Sequence, residues 1–528
     1  MAEEKQSLLY KLKPITDRMP AVRRPEGHVH FRTKIMWVVL ILLLYFALTN
    51  VWLYGLERST VVDFFSSLRA ILAGQQGSLM HLGIGPIVTG SIIMQLFAGA
   101  KIIKLDLSKD EDKSVYQGTQ KFIVVIMIVV EAVPQVFGFL TPAGSLVTGL
   151  DGAWVGQGKN LALTLIVLQL VAGSYLVFLM DEVVSKWGIG SGISLFIAAG
   201  VAQQIFVGTF NWEPSDPTQA VSANNPPAGT IPKTLYLLSV MPAAQIAGGG
   251  LERILIQQPN PIVALVGTII IFLLVAYLES TRIELPLAHG QARGARGRYP
   301  IRLIYASNIP VILVAAVLAN VSMFSLLLWQ HPEVPVLGRA WWVGSYPDPS
   351  TVTQGSGLSA STPLTGVAWY TQSLNGPGSW LMPLVSPGYD TVLLGHNNAQ
   401  LAIRLFVYLG IFIYGSIKFS QFWIETTNMG PQAVAAQIER SGMQIPGFRR
   451  DPRVLRRVLE RYIPVVTVIG GATVGALAAG ADMIGTVWQA SGTGVLLAVG
   501  IMIQMYEAIG REQMMEMHPI LRSFFGVE

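Results

Sequence analysis

The chain has 528 residues, of which 52% are apolar and 13% charged, with a mean hydropathy of +0.50. Typical soluble domains carry about 25% charge, so the composition argues against an ordinary soluble protein and for lipid as the solvent. There is no cysteine, which excludes disulfide frameworks, thiolate metal sites and thiol nucleophiles. The formal charge of +5 is informative through its placement, because Lys and Arg gather on the cytoplasmic side of membrane proteins.

Residues 1–34 are polar and charged, and the first apolar run, Ile35 to Trp52, is long enough to span rather than to be clipped as a signal peptide. A cytoplasmic tail is expected, with Leu8 to Met19 patterned as an amphipathic helix that either lies in the inner interface or is solvated. Further spans of about 20 apolar residues are predicted at Phe122 to Leu140, Leu161 to Met180, Ile262 to Leu278, Ile304 to Leu328, Leu401 to Ile417 and Ile463 to Ala479. His81 to Ala100, Ile189 to Phe210 and Val487 to Ile503 are also apolar but rich in Gly, Ser and Thr, the composition of helices that pack closely or line a cavity. That makes ten spans. With the N-terminus inside, 29 of the 36 Lys and Arg residues fall in cytoplasmic segments, the bias that one consistent alternation of spans should produce. The two long outer connections, 211–261 and 331–400, are rich in turn-forming residues and are expected to be extracellular loops.

Chemistry is sparse. Glu131 is the clear ionisable residue at mid-span; such a group marks either function or an interhelical hydrogen bond. The histidines show no HxxxH or HExxH spacing, and no Gly-rich loop is followed by Lys-Ser/Thr, so no metal site, nucleotide hydrolysis or cofactor is expected. Arg293, Arg296, Arg298 and Arg302, with Arg449, Arg450, Arg453, Arg456, Arg457 and Arg461, crowd two cytoplasmic loops. Such runs are often topology signals or headgroup contacts, but this density suits a polyanion such as ribosomal RNA.

Leu82-Gly83-Ile84-Gly85-Pro86-Ile87-Val88-Thr89 resembles the second span of the SecY family of protein translocation channels. Asp181-Glu182-Val183-Val184-Ser185-Lys186 leading into Gly188-Ile189-Gly190-Ser191-Gly192-Ile193 resembles the fifth. Tyr299-Pro300-Ile301 with Ser307-Asn308-Ile309-Pro310 resembles the seventh, and Gly492-Thr493-Gly494-Val495-Leu496-Leu497 the tenth. Pro286-Leu287-Ala288-His289-Gly290 looks archaeal, although both outer loops look longer than archaeal members usually carry. The resemblance implies an all-α polytopic membrane protein of ten transmembrane helices in two inverted-repeat halves of five. The tail 1–34 would be followed by a first half (35–210), a hinge region (211–261), a second half (262–507, with cytoplasmic loop 425–461) and a C-terminal tail (508–528).

The same resemblance implies a pore ring of Ile84, Val88, Ile189, Ile193, Ile309 and Leu497. An aliphatic ring resists ions by dewetting, yet lets a polypeptide slide past without specific hydrogen bonds. It implies a plug helix at 60–73, with Phe64, Phe65 and Leu68 packed under the ring, and a lateral gate with polar contacts at Thr89, Glu131 and Asn308. It also implies ribosome contacts at Arg293 and Arg449. The implied partners are SecE-type and beta-type small subunits, the ribosome, the signal recognition particle pathway, nascent secretory and membrane proteins, and membrane lipids. The implied location is the plasma membrane with both termini cytoplasmic. The chief rival reading is a secondary transporter, which also uses inverted repeats and glycine-broken helices but needs a polar midplane site where this chain offers aliphatic residues. A scaffold or insertase without an aqueous path would account for the arginine loops but not for the aliphatic ring.

Overall fold

The computed structural model describes residues 8–27, 29–57, 72–99, 102–103, 105, 110–153, 156–215, 219–242, 245–257, 259–289, 296–302, 309–331, 338–347, 362–374, 376–385, 395–427, 429–440, 443–444, 452–487 and 490–517. Ten apolar helices dominate: α1 Phe31–Thr49, α2 Gly85–Gly99, α3 Asp110–Phe139, α4 Gly158–Trp187, α5 Gly192–Phe210, α6 Ile262–Ser280, α7 Ile309–Gln330, α8 Asn398–Thr426, α9 Pro452–Ile484 and α10 Gly492–Met517. Nine of them are long and apolar enough to cross a membrane, and α2 is shorter. At 1.5 Å per residue the 30-residue α3 and α4 reach about 45 Å, so they overshoot a hydrocarbon layer of about 30 Å and project polar ends into water.

The short α2 has a local cause. The span predicted from His81 is helical only from Gly85, because residues 72–84 form a buried turn beneath it. Gly83 has φ +56°, and a Cβ there would lie 2.1 Å from the Leu72 carbonyl oxygen, while the Ile84 N–H donates to that same oxygen at 2.7 Å. Only glycine takes this conformation without strain.

The inverted repeat, invisible in the sequence without a resemblance to follow, is plain in the packing. In the first half α2 packs on α3, α3 on α4, α4 on α5, and α1 on both α4 and α5. In the second, α7 packs on α8, α8 on α9, α9 on α10, and α6 on both α9 and α10. The repeat extends to single residues. At the α4–α5 turn Asp181 Oδ1 accepts the Ile193 N–H at 2.9 Å; at the α9–α10 turn Asp482 Oδ1 accepts the Thr493 N–H at 3.0 Å. In both turns a Ser-Gly pair precedes the capped residue, and a Cβ on Gly192 or Gly492 would collide with the end of the preceding helix, at 2.6 Å from Asp181 Cα or 2.1 Å from the Ala481 carbonyl carbon. Five crossings separate the turns, an odd number, so they lie on opposite membrane faces.

Three short strands, absent from the sequence-based expectation of plain loops, occupy the face that carries the N-terminus. β1 (Arg282–His289) pairs antiparallel with β2 (Arg296–Arg302) and with β3 (Met443–Gln444). Arg282 sits directly opposite Arg302, a like-charge pair that would repel. Glu507, on the projecting end of α10, takes both guanidinium groups, Arg282 at 3.0 Å, and so ties the hairpin to that helix. Farther along α10, Glu512 accepts from Lys34 at 2.7 Å. The N-terminal segment and the C-terminal helix therefore meet on one face.

The connection 211–261 is more ordered than its loop-like composition suggests. A helix at Thr230–Val240 packs on α5 and α6. Its buried Lys233 donates to the carbonyls of Gln257 at 2.7 Å and Pro259 at 2.8 Å, just ahead of α6.

Candidate functional site

The two halves meet along two seams. On one side α2 and α3 face α7 and α8, with α2 touching both and α3 touching α7; on the other, α5 packs against α10. Of the six aliphatic positions named above, Val88, Ile193, Ile309 and Leu497 fall on α2, α5, α7 and α10, while Ile84 and Ile189 lie just ahead of α2 and α5; in the repeat these helices are the related pairs α2 with α7 and α5 with α10. Ile84 immediately precedes α2 and Ile309 opens α7; Ile193 lies in the first turn of α5 and Leu497 in the second turn of α10. Ile84, Val88 and Leu497 are buried in one apolar cluster, and Ile193 and Ile309 pack against it half-buried; Ile189 is buried outside that cluster.

A cavity of about 710 Å³ opens on the N-terminal face beside this cluster, with Ile87, Ser91, Lys121, Phe178, Asp181 and Ile193 among its lining. Its rim is electrostatically tied. Glu182 of α4 pairs with Lys121 of α3 and, at 3.2 Å, with Lys186, and it accepts the Val22 N–H at 2.8 Å. Lys186 Nζ donates to the Val22 carbonyl at 2.6 Å, and Trp187 Nε1 to that of Arg23 at 2.9 Å. The N-terminal segment thus runs as a strap along the end of α4, held by its backbone. The run beginning Asp181-Glu182 therefore does two jobs: Asp181 caps the next helix and Glu182 gathers two lysines and the strap.

At the α2/α3–α7 seam, the Thr89 hydroxyl sits within hydrogen-bonding distance of both the Gly85 carbonyl and the buried Glu131 carboxyl group, and its one proton can serve only one of them at a time. A Cβ at Gly85 would lie 3.1 Å from Glu131 Oε2, so the glycine lets α2 approach the acid. Pro134, three residues on, has no N–H for the carbonyl of Val130 and loosens α3 locally. A cavity of about 40 Å³ borders this pair, lined also by Gln135, Asn320 and Met323, large enough for a water held by several polar partners. Gln135 and Asn320 were missed from the sequence, although Gln135 follows Glu131 at i+4 on the same helix face and Asn320 is a polar residue deep in an apolar helix. Asn308 lies outside the described residues, as do Phe64, Phe65, Leu68, Arg293 and Arg449. Of the arginines in the two basic loops, Arg302 is committed to Glu507 and Arg456 pairs with Glu460 at 2.8 Å.

Two inverted halves of five helices that meet on an apolar cluster and along two seams define a two-halved polytopic membrane protein, an architecture that channels and transporters share. The SecY family model matches residues 78–506, and the model of the plug domain of Sec61p matches residues 43–77. The chain is 45% identical to the protein translocase subunit SecY of Archaeoglobus fulgidus, covering 99% of each chain, and 44% identical to that of Haloferax volcanii, covering 98% of this chain and 99% of the relative. Among solved structures it resembles a protein-conducting channel at TM-score 0.71 and 35% identity, covering 96% of this chain and 98% of the other. It resembles Sec61 of the canine ribosome-channel complex from the endoplasmic reticulum at TM-score 0.69 and 35% identity, with the same coverage. The chain belongs to the SecY family: it is a multi-pass membrane protein and a protein-conducting channel subunit, not an enzyme. The secondary transporter finds no support among these relatives.

Proposed function

We propose that unfolded polypeptides cross the membrane between the two halves through a ring of Ile84, Val88, Ile189, Ile193, Ile309 and Leu497, and that hydrophobic segments leave sideways through the α2/α3–α7/α8 seam. The observation that carries this reading is the convergence of aliphatic residues from four helices that the inverted repeat relates in pairs. In an apolar ring no polar group competes for the passing backbone, and water leaves when the chain does. Thr89 and Glu131, with Asn308, act as the polar latch of the seam, and a signal sequence biases a closed–open equilibrium by binding the open state better.

Residues 60–73 serve as the plug, with Phe64, Phe65 and Leu68 as its apolar residues for the ring; they fall inside the stretch that matches the plug domain. The divisions at 1–34, 35–210, 211–261, 262–507 and 508–528 follow the same reading, with the helix Thr230–Val240 as part of the hinge region. Both termini face the cytoplasm across the plasma membrane, in keeping with the positive bias of that face and with the meeting of Lys34 and Glu512. SecE-type and beta-type subunits complete the complex. The ribosome docks on the basic loops through Arg293 and Arg449, as Sec61 is seen in a ribosome complex, and the signal recognition particle pathway delivers the chain. Transport needs no catalytic site in this subunit, and translation or another partner supplies the drive.

The test uses the absence of native cysteine. Ile193→Cys is reconstituted and challenged with a ribosome-stalled secretory chain bearing one cysteine at its midpoint. A disulfide that forms only with a functional signal sequence is the expected result. An introduced thiol that stays unlinked while a small solute protects it from alkylation would replace the conduit by a transporter.

A further inference from the structure

The segment 338–347, between α7 and α8, turns back along α7 instead of leaving the membrane region. The Arg339 N–H donates to the Leu328 carbonyl at 3.2 Å, Ser325 Oγ donates to the Val343 carbonyl at 3.3 Å, and the hydroxyl of buried Tyr346 reaches the Ser322 carbonyl at 3.4 Å. Gly344 permits the approach, since a Cβ there would meet Ser325 Oγ at 2.4 Å. Helix α7 ends at Gln330, so at 1.5 Å per residue these three contacts lie about 3, 7.5 and 12 Å below its end. Trp341 and Trp342 fall between the first two and are 73% and 48% exposed.

Exposure is not the general fate of indoles in this connection. Trp369 is 1% exposed, stacked between His396 at 3.9 Å and the Arg404 guanidinium at 4.7 Å. The fold buries that ring and leaves the other two on the outside, near the end of α7; an amphipathic indole is most stable between acyl chains and headgroups. Val317 and Phe324 are exposed apolar residues farther down α7, seven residues apart, so that helix also presents a lipid-facing surface below the tip. Arg339, exposed beside the tip with its guanidinium 5.9 Å from the Trp329 ring, can reach headgroup phosphate.

We propose that Trp341 and Trp342 form a lipid-binding tip in the headgroup layer of the leaflet opposite the termini, fastening the far end of α7 to the bilayer. The occupant is lipid, because the pair lies within the span of α7 and not beyond it. Helix α7 borders the seam and begins at Ile309, so the tip couples one side of the seam to the membrane surface. Any outward movement of α7 then drags two indoles through headgroups.

The cysteine-free chain permits single-site labelling. Trp341→Cys, and independently Trp342→Cys, are labelled with bimane in the full-length chain and reconstituted in phosphatidylcholine vesicles whose acyl chains carry bromine either near the headgroup or near the chain end. Leu168→Cys, exposed midway along α4, and Ala220→Cys, exposed in the first outer connection, serve as deep and aqueous references. The expected result is a roughly twofold loss of emission with shallow bromine, a weaker loss with deep bromine, and little quenching by iodide, as for a group 5–10 Å into the interface. A label quenched by iodide but by neither lipid places the tip in water and overturns the proposal. A label shielded from all three quenchers is covered by protein and overturns it equally.

Discussion

Lys233 shows how one residue can mislead when read for topology. It is one of the few basic residues outside the cytoplasmic segments, an exception to the positive bias, and in the fold its ammonium satisfies two carbonyls ahead of α6. Burial, with a smaller contribution from the Arg253 charge, pushes its pKa down to about 8 from 10.5. Between those values the folded chain binds fewer protons than the unfolded one, so this group makes stability rise with pH across the window and is a liability, as a charge, below it. The neutral amine still donates to both carbonyls. Lys233→Met removes the donor from two partly buried carbonyls, at no more than about 1–3 kcal/mol each, and should lower the Tm of the detergent-solubilised channel. The deficit should widen between pH 8 and 10.5, as only the native chain gains there; a pH-independent gap would show that Lys233 titrates normally. Glu131 is the converse case. Its isolation in an apolar run was legible in the sequence, whereas its partner Thr89, 42 positions away, was assigned only through resemblance, and Gln135 and Asn320 only through the cavity they share.

Helix existence was legible and helix limits were not. Each predicted span has its helix, because about 20 apolar residues in lipid leave the backbone no other way to pair its polar groups. The limits moved wherever something other than hydropathy decided them: α2 starts late because of the Gly83 turn, while α3, α4, α9 and α10 run past the lipid into polar sequence. The strands β1 to β3 escaped because neither Arg282–His289 nor Arg296–Arg302 shows a clean period of two, and the like-charge pair Arg282–Arg302 is offset by Glu507, more than 200 positions away. The turns before α5 and α10 did carry a readable signal, an Asp followed about ten residues later by Ser-Gly. The two are not equal in depth. Asp181→Ala removes an N-cap, which costs about 0.5–2 kcal/mol. Asp482→Ala removes the equivalent cap and also strands the hydroxyls of Thr493 and Tyr408, each donating to Asp482 at 2.7 Å, adding about 1–3 kcal/mol per buried group. Thermal unfolding should therefore rank Asp482→Ala well below Asp181→Ala, and equal Tm values would count against the network at the α9–α10 turn.

For the molecule as a whole, the two halves share one buried apolar cluster, and the proposed ring puts the seal of the channel there. Ile193→Asp introduces a hydrated charge beside that cluster and should turn the resting channel into an ion leak. Planar-bilayer conductance at least tenfold above the unsubstituted channel is expected if dewetting makes the seal, and unchanged conductance would place the seal elsewhere. The sequence by itself determined the solvent and the number of spans, since hydropathy acts residue by residue along the chain. The tertiary structure alone decided which helices touch, where the two halves part, and that 338–347 folds back beside α7. Those outcomes depend on close approaches at glycines and on hydrogen bonds between residues far apart in the chain, which no local pattern encodes.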